Sequence, residues 1–534
     1  MINASIIFKF VNERYNRPKI RIIKKGHEKL RKECKLFVIS QLKDLLSQTK
    51  LNNSSLSESV MRQGDFDAEL SIRQYFFYRI LGMSFNKSFL YSVGSERPLR
   101  HPLPKEWRNA LTGKGVKVDN FSCAVLWRTH SFIIFGHGIL QELKGVCSVF
   151  KKQTCLGRYV YFDQLTSRSI SNNASAHNVM NWYLQWKSKD IKINSICHSA
   201  NDVPQFKLGK LNVVKNNGLP QLRGLSLFKY ITFVVYASIY SFICLFYKPV
   251  YGFLLGEVVK LKRVELARDV DLARDYLFHN SLLYYRPIWT YLAEKKGSRV
   301  LFYFYSTHTD YFYRTYIEKS RVKDGPSTGI PWHLMSWSHY LVWDEFHVSL
   351  IKRFDRYNSI IENVGHIWFY ALKEGERRDI PENSVAVFDV LPFNASSRVV
   401  LGLSFDYYVP EVSNKFLNDI YEVLVKVDHV LIHKMKRINI KTHKKYSHNI
   451  KKLELKTNYR KIHPYSDALQ LIQKTTATIS IPFTSTALIA KQEGKLSVYY
   501  DPSGLIQKDD EAAHGIPILS GINELRDWVE NLGR

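Results

Sequence analysis

Beyond residue 265 the apolar and polar positions fall into two alternating periods. DYLFHNS (275–281) is a short apolar run ending at His279, and YRPIWTYLAEKKG (285–297) has helical spacing, with Pro287 in its first turn and Gly297 as its stop. SRVLFYFYSTH (298–308) reads as a strand, and HYLVWDEFHVSLIKRF (339–354) as a strand followed by a helix. A charged segment, ALKEGERRDIPENS (371–384), then interrupts the pattern and carries Pro381, which predicts a domain boundary. The pattern restarts with SVAVFDVLPF, KFLNDIYEVLVKV, HVLIHKMKR, ALQLIQKTT, TATISIPF, LSVYYD and GINELRDWVENL. Strands alternating with helices predict parallel sheets. Two such series predict an α/β fold of two Rossmann-like domains facing a cleft.

The earlier chain is less regular. RYVYFDQL (158–165) reads as a strand ending at Asp163, FSCAVLWRTHSFIIF near 120 as two β-like runs, and the polar 171–226 as surface loops. Residues 1–115 form a Lys-rich extension with weak helical periodicity and no assignable chemistry. The expected division is this extension, a first Rossmann-like domain over 116–375, and a second over 380–534.

One stretch departs from a soluble pattern. YITFVVYASIYSFICLFY, Tyr230 to Tyr247, has no charge for 18 residues and lies between Lys229 and Lys248. That length is at the lower edge of a bilayer span. Basic residues on both flanks give no orientation, so a helix dipping into one leaflet over about 227–256 is favoured over a full span or a buried core helix. The net charge of +29 adds to this by asking for an acidic partner: a phosphorylated small molecule, an anionic membrane or nucleic acid. No nucleic-acid recognition motif accompanies the charge, so nucleic acid is not the expected partner, although a non-enzymatic nucleic-acid-binding protein stays as an alternative. The six cysteines fit no zinc site or disulfide framework, which suggests a reducing compartment.

The densest candidate chemistry lies at SIPFTSTALIAKQEGKLSVYYD. TATISIPF ends where a helix begins at Thr484 or Ser485, to run to about Glu493 and stop at Gly494. Its first turn offers unpaired N–H groups, the positive end of a helix dipole and the hydroxyls of Thr484, Ser485 and Thr486. Such residues also serve as a plain helix cap. The strand HVLIH ends in Lys434, Lys436 and Arg437, with His443 close behind, and Arg437 can clamp a phosphate with two nitrogens.

PFTST (482–486) resembles the signature of the bacterial polysaccharide biosynthesis PFTS motif proteins, as do 275–307, HYLVWDEFHVSLIKRF, VGHIWFY (364–370), VAVFDVLP, YYVPE (407–411) and the KMKR cluster. The resemblance implies a GT-B glycosyltransferase of surface polysaccharides such as lipopolysaccharide or capsule. Its second domain would bind a nucleotide-sugar donor, CMP-linked acidic sugars being one class used by relatives. Donor phosphate would meet Lys434, Lys436, Arg437, Pro482, Phe483, Thr484, Ser485 and Thr486, with His443 and His463 near the nucleoside. A general base would come from the first domain: His279, Glu345 beside Asp344, or Asp163. No DxD triad occurs, so no metal or other cofactor is expected. The acceptor would be a lipid-linked glycan at the cytoplasmic face of the inner membrane. A polyol-phosphate transferase with a CDP-linked donor needs the same site and is the second enzymatic reading.

Overall fold

The computed structural model describes residues 19–30, 32–33, 38–51, 68–149, 159–172, 178–187, 193–200, 203–279, 285–307, 332–367, 380–392, 407–436, 442–464 and 466–532. The N-terminal part is helical: α1 (Val38–Gln48), α2 (Ala68–Ile80), α3 (Met83–Ser95) and α4 (Lys105–Gly113). It packs against the domain that follows. Gln74 in α2 donates to Ser336 Oγ at 2.6 Å, and Phe76 packs on Phe253 with centroids 5.2 Å apart.

The segment predicted as two β-like runs is instead one long helix, α5 (Asn120–Val149). Its core-facing residues Cys123, Trp127, Ser131 and Gly138 recur at helical spacing. The apolar residues between them are exposed, and these made the pattern resemble strands.

A first sheet is built from β1 (Tyr159–Phe162), β2 (Ser195–His198), β3 (Phe206–Leu208), β4 (Leu211–Lys215), β5 (Asp275–His279), β6 (Arg299–Tyr303), β7 (His339–Val342) and β8 (Ile360–Asn363). The expected loops of 171–226 thus hold three strands and α6 (Val179–Lys187). Strands of three to five residues, set among polar loops, leave little periodicity to read. Cys197 in β2 is disulfide-bonded, contrary to the expectation that the cysteines fit no disulfide framework. Strand order is β3-β4-β2-β1-β5-β6-β7-β8, parallel except for the β3–β4 pair. The chain winds outward first to one side of β1 and then, from β5, to the other.

Between β4 and β5 the chain makes a helical hairpin, α7 (Gly224–Cys244) and α8 (Val250–Leu266). α8 packs on α5 and α7. Because β4 and β5 belong to one sheet, α7 cannot cross a bilayer as a lone span without tearing that sheet apart. Helix α9 (Trp289–Lys295) leads to β6, after Gly297 turns the chain at φ +93°. Helix α10 (Glu345–Phe354) joins β7 to β8.

The second sheet holds β9 (Ser384–Phe388), β10 (Val430–Lys434), β11 (Tyr459–Ile462), β12 (Ala477–Ser480), β13 (Leu496–Asp501) and β14 (Ile518–Ser520). Its order is β11-β10-β9-β12-β13-β14, all parallel. Helices α11 (Pro410–Lys426), α12 (Lys444–Leu453), α13 (Ala468–Lys474), α14 (Ser485–Gln492) and α15 (Gly521–Glu530) complete it. Strands β9 and β12 are buried at every position, as parallel strands covered on both faces must be. β11, α12 and β14 had no sequence reading: β11 is an edge strand with Arg460 and Lys461 outward, and β14 has three residues.

Candidate functional site

In a doubly wound sheet, ligands sit beyond the carboxyl ends of the strands, where the winding reverses. In the second sheet this point lies between β9 and β12, joined at their ends by Ile481 N–H donating to Phe388 O at 2.9 Å. The PFTST segment leaves β12 there. Phe483 is held at φ +64°, a conformation an aromatic residue rarely adopts and one that clusters at ligand clamps. Tyr408 and Tyr499 anchor the turn, their hydroxyls donating to Pro482 O at 2.9 Å and Thr484 O at 3.1 Å. Thr484 occupies the N-cap position of α14, yet its hydroxyl donates back to Ile481 O at 3.0 Å and caps nothing. The first-turn amides therefore have no capping side chain. Thr486 Oγ1 lies 3.2 Å from Ser480 Oγ.

The other expected phosphate and nucleoside ligands sit on the β10–β11 side. Lys434 is half-buried and donates to Pro464 O at 3.0 Å; burial pushes its ammonium down to about 8. Lys436 is exposed beyond the end of β10, and Arg437 lies outside the described residues. His443 accepts from Lys445 N–H at 3.2 Å as the N-cap of α12, while His463 is exposed after β11. β9 separates these residues from the PFTST turn.

The first sheet reverses between β1 and β5. Asp163 follows β1 and His279 ends β5, so both lie at the switch point on adjacent strands. Asp163 accepts from the Tyr161 hydroxyl at 3.0 Å, and burial raises its carboxyl to about 6. Burial pushes His279 down to about 4, against a hydrogen bond with the Gln164 backbone, so its imidazole is neutral at pH 7. The Tyr303 ring, at the end of β6, lies 5.7 Å from that of His279. A buried carboxyl titrating near 6 suits general-base work, and the neutral His279 lies at the end of the neighbouring strand. Glu345 is not part of this group: it is exposed on α10 and accepts from Asn363 Nδ2 at 3.1 Å.

The carboxyl ends of the two sheets meet. Thr307, beyond β6, donates its N–H to Ser485 Oγ at 3.0 Å, and Gln492 of α14 donates to Trp343 O at 2.6 Å. Asp344, the N-cap of α10, lies 2.6 Å from Nδ1 of the buried His514 of the second domain. Burial opposes ionisation of Asp344, but the His514 hydrogen bond and charge outweigh it and hold the carboxyl below its usual range. A depressed carboxyl stabilises above its unfolded pKa of about 4 and loses that contribution as pH falls further. Asp344→Asn keeps the cap but removes the charge. It is expected to lower the melting temperature at pH 7, with the deficit shrinking below pH 4 in pH-resolved calorimetry.

Sequence reasoning missed Thr307, Tyr303, His514 and Asp389. Asp389 directly follows the fully buried β9, so the strand-end rule that picked Asp163 and His279 applies to it equally.

Residues 227–529, more than half of the chain, match the family described as "Polysaccharide biosynthesis PFTS motif protein". No curated protein matches the chain in sequence. Among solved structures it is similar to the Methanocaldococcus jannaschii UDP-GlcNAc 2-epimerase in complex with UDP-GlcNAc and UDP, at 12% identity and a TM-score of 0.32, over 70% of this chain and 92% of that one. It is similar to an α,α-trehalose-phosphate synthase (UDP-forming) from Burkholderia vietnamiensis at 9% and 0.36, over 71% and 89%. It is also similar to a variant of the wall teichoic acid polymerase TagF at 10% and 0.38, over 76% and 88%. At these identities and scores the likenesses say nothing of substrate.

Proposed function

We propose, from the premise that the chain belongs to the polysaccharide biosynthesis PFTS motif family, that it is a glycosyltransferase of GT-B kind. It transfers a sugar from a nucleotide donor held by the second sheet to a glycan acceptor held by the first. The observation that supports this most is the meeting of the carboxyl ends of the two sheets, where Thr307 beyond β6 donates to Ser485. One carries anion-binding chemistry, the other a carboxyl titrating near 6.

In the transfer, negative charge grows on the departing nucleotide phosphate. The amides of Ser485 and Thr486 and the dipole of α14 are aimed where that charge develops, and one such donor contributes about 3 kcal/mol. Asp163 takes the proton from the attacking acceptor hydroxyl, and His279 on the neighbouring strand, neutral at pH 7, adds no competing charge. The first-turn amides and the helix dipole serve as the leaving-group clamp, and the proposal needs no metal. Thermal stabilisation by CMP, CDP or UDP, followed by turnover with the matching sugar and polyol donors, tests the reading. No stabilisation by any nucleotide overturns it.

The acceptor is lipid-linked, and the protein lies on an anionic membrane at the cytoplasmic face. Among the described residues one helix, α7, is long and apolar enough to cross a bilayer. It turns Phe228 (68% exposed) and Ile239 (57%) outward, and α5 adds Ile133 (61%). Phe132 of α5 meets Phe246 just beyond α7 at 5.8 Å, joining the two into one apolar patch. The hairpin returns to its own sheet, so the patch rests in one leaflet. Replacing Phe242, Ile243 and Phe246 with Ser is expected to move the protein from vesicle pellet to supernatant in sedimentation with anionic vesicles. Wild-type protein that stays in the supernatant contradicts the membrane placement.

A further inference from the structure

We propose that Asp389 reads the nucleoside of the donor, its Oδ1 accepting a hydrogen bond from a neutral N–H or O–H group of that nucleoside. The inference rests on the donor site proposed above and adds a specificity residue to it.

Asp389 is 3% exposed and directly follows β9, on one side of the second sheet's switch point. The PFTST turn is on the other side. Its two carboxylate oxygens have different surroundings. Oδ2 accepts a short hydrogen bond from the Tyr446 hydroxyl of α12 and lies 3.3 Å from His433 Nε2. His433 is held in turn by the Tyr459 hydroxyl at 2.7 Å from Nδ1. The Tyr446 hydroxyl thus fixes the carboxylate through one oxygen, with the His433 ring close beside it. Oδ1 is buried and has no hydrogen-bond partner. An unpaired buried carboxylate oxygen costs free energy, and a ligand that donates to it removes that cost.

The position selects the kind of ligand. A carboxylate repels phosphate, so it cannot share the anion site of α14. It suits the uncharged part of the same molecule: a ribose hydroxyl or the exocyclic amine of a base. Adjacent strands are about 4.8 Å apart, so a nucleotide with its phosphate on the β12 side reaches the end of β9 with its nucleoside. The Lys434 ammonium, whose pKa Asp389 helps to raise against burial, keeps local charge in balance.

The test is isothermal titration of the full-length protein with pyrophosphate, CMP, UMP and 2′-deoxy-CMP, repeated for Asp389→Asn and Tyr446→Phe. Wild type is expected to bind pyrophosphate and at least one nucleotide. Asp389→Asn is expected to weaken that nucleotide about tenfold or more while pyrophosphate affinity stays unchanged. Tyr446→Phe, which keeps the charge but loosens its anchor, is expected to weaken the nucleotide to a lesser degree. Weaker wild-type binding of 2′-deoxy-CMP assigns the contact to the ribose, and weaker binding of UMP assigns it to the base amine. Either preference is expected to vanish in Asp389→Asn. Nucleotide affinity that is the same in Asp389→Asn and wild type overturns the assignment while leaving the phosphate site standing. Wild-type protein that binds pyrophosphate but no nucleotide also overturns it. Protein that binds neither ligand removes the donor site and this inference with it.

Discussion

Ser485→Asp is expected to abolish donor-dependent turnover, by 10²-fold or more at the scale set by oxyanion donors (~10²–10³), without lowering the melting temperature. The two readouts separate because the substitution suits the fold and opposes the ligand. A carboxylate in the first turn of α14 interacts favourably with the helix dipole, worth about 0.3–1 kcal/mol. It can also accept the Thr307 N–H that now donates to Ser485 Oγ. The same charge lies where the donor phosphate needs amides and a positive dipole end. A protein with merely a capped helix at this place would gain stability and lose nothing. Steady-state kinetics beside calorimetry distinguish the cases, and full turnover in Ser485→Asp would rule out phosphate binding at this turn.

Asp163→Asn is expected to lower turnover by about 10²–10⁴-fold, the usual contribution of a positioned base, while nucleotide binding is retained. Burial raises the Asp163 carboxyl to about 6. A raised carboxyl favours the folded state at low pH and loses that contribution as pH rises through 6, because the buried group must then ionise. The neutral Asn relieves this cost, so stability at pH 7 should be unchanged or higher. For the wild type, turnover should rise between pH 5 and 7 as the carboxylate forms, and the residual activity of Asp163→Asn should lack that limb. The pH–rate profile of both proteins is the measurement. A wild-type profile flat across that interval would remove Asp163 as the base.

The second half of the chain was the more legible in sequence, for a physical reason. Parallel strands buried on both faces, such as SVAVF and ATIS, are short unbroken apolar runs, and the helices between them keep one apolar stripe. The turn at PFTST could be read down to its first helical residue, because strand end, hydroxyls and Gly494 punctuate it. The first half hid its order in two ways. α5 carries apolar residues on its outward face as well as its inward one, which erases helical contrast. Residues 171–226 do the reverse, with short strands among polar neighbours.

Site residues divide along similar lines. Asp163 and His279 follow from a rule about strand ends and lie at one switch point. The basic cluster after β10 was grouped with PFTST because both end strands. Which strands adjoin, however, is decided by winding order, and β9 intervenes. Asp389 and Thr307 matter through partners distant in the chain, Tyr446 and Ser485, and no local pattern records such pairs.

The most direct test is a crystal structure with a bound nucleotide. The account predicts a phosphate oxygen within hydrogen-bonding distance of the Ser485 and Thr486 amides, in the crevice between β9 and β12, with the first-sheet pair Asp163 and His279 opposite. A nucleotide bound elsewhere, with the first turn of α14 touching only solvent or protein, would contradict it.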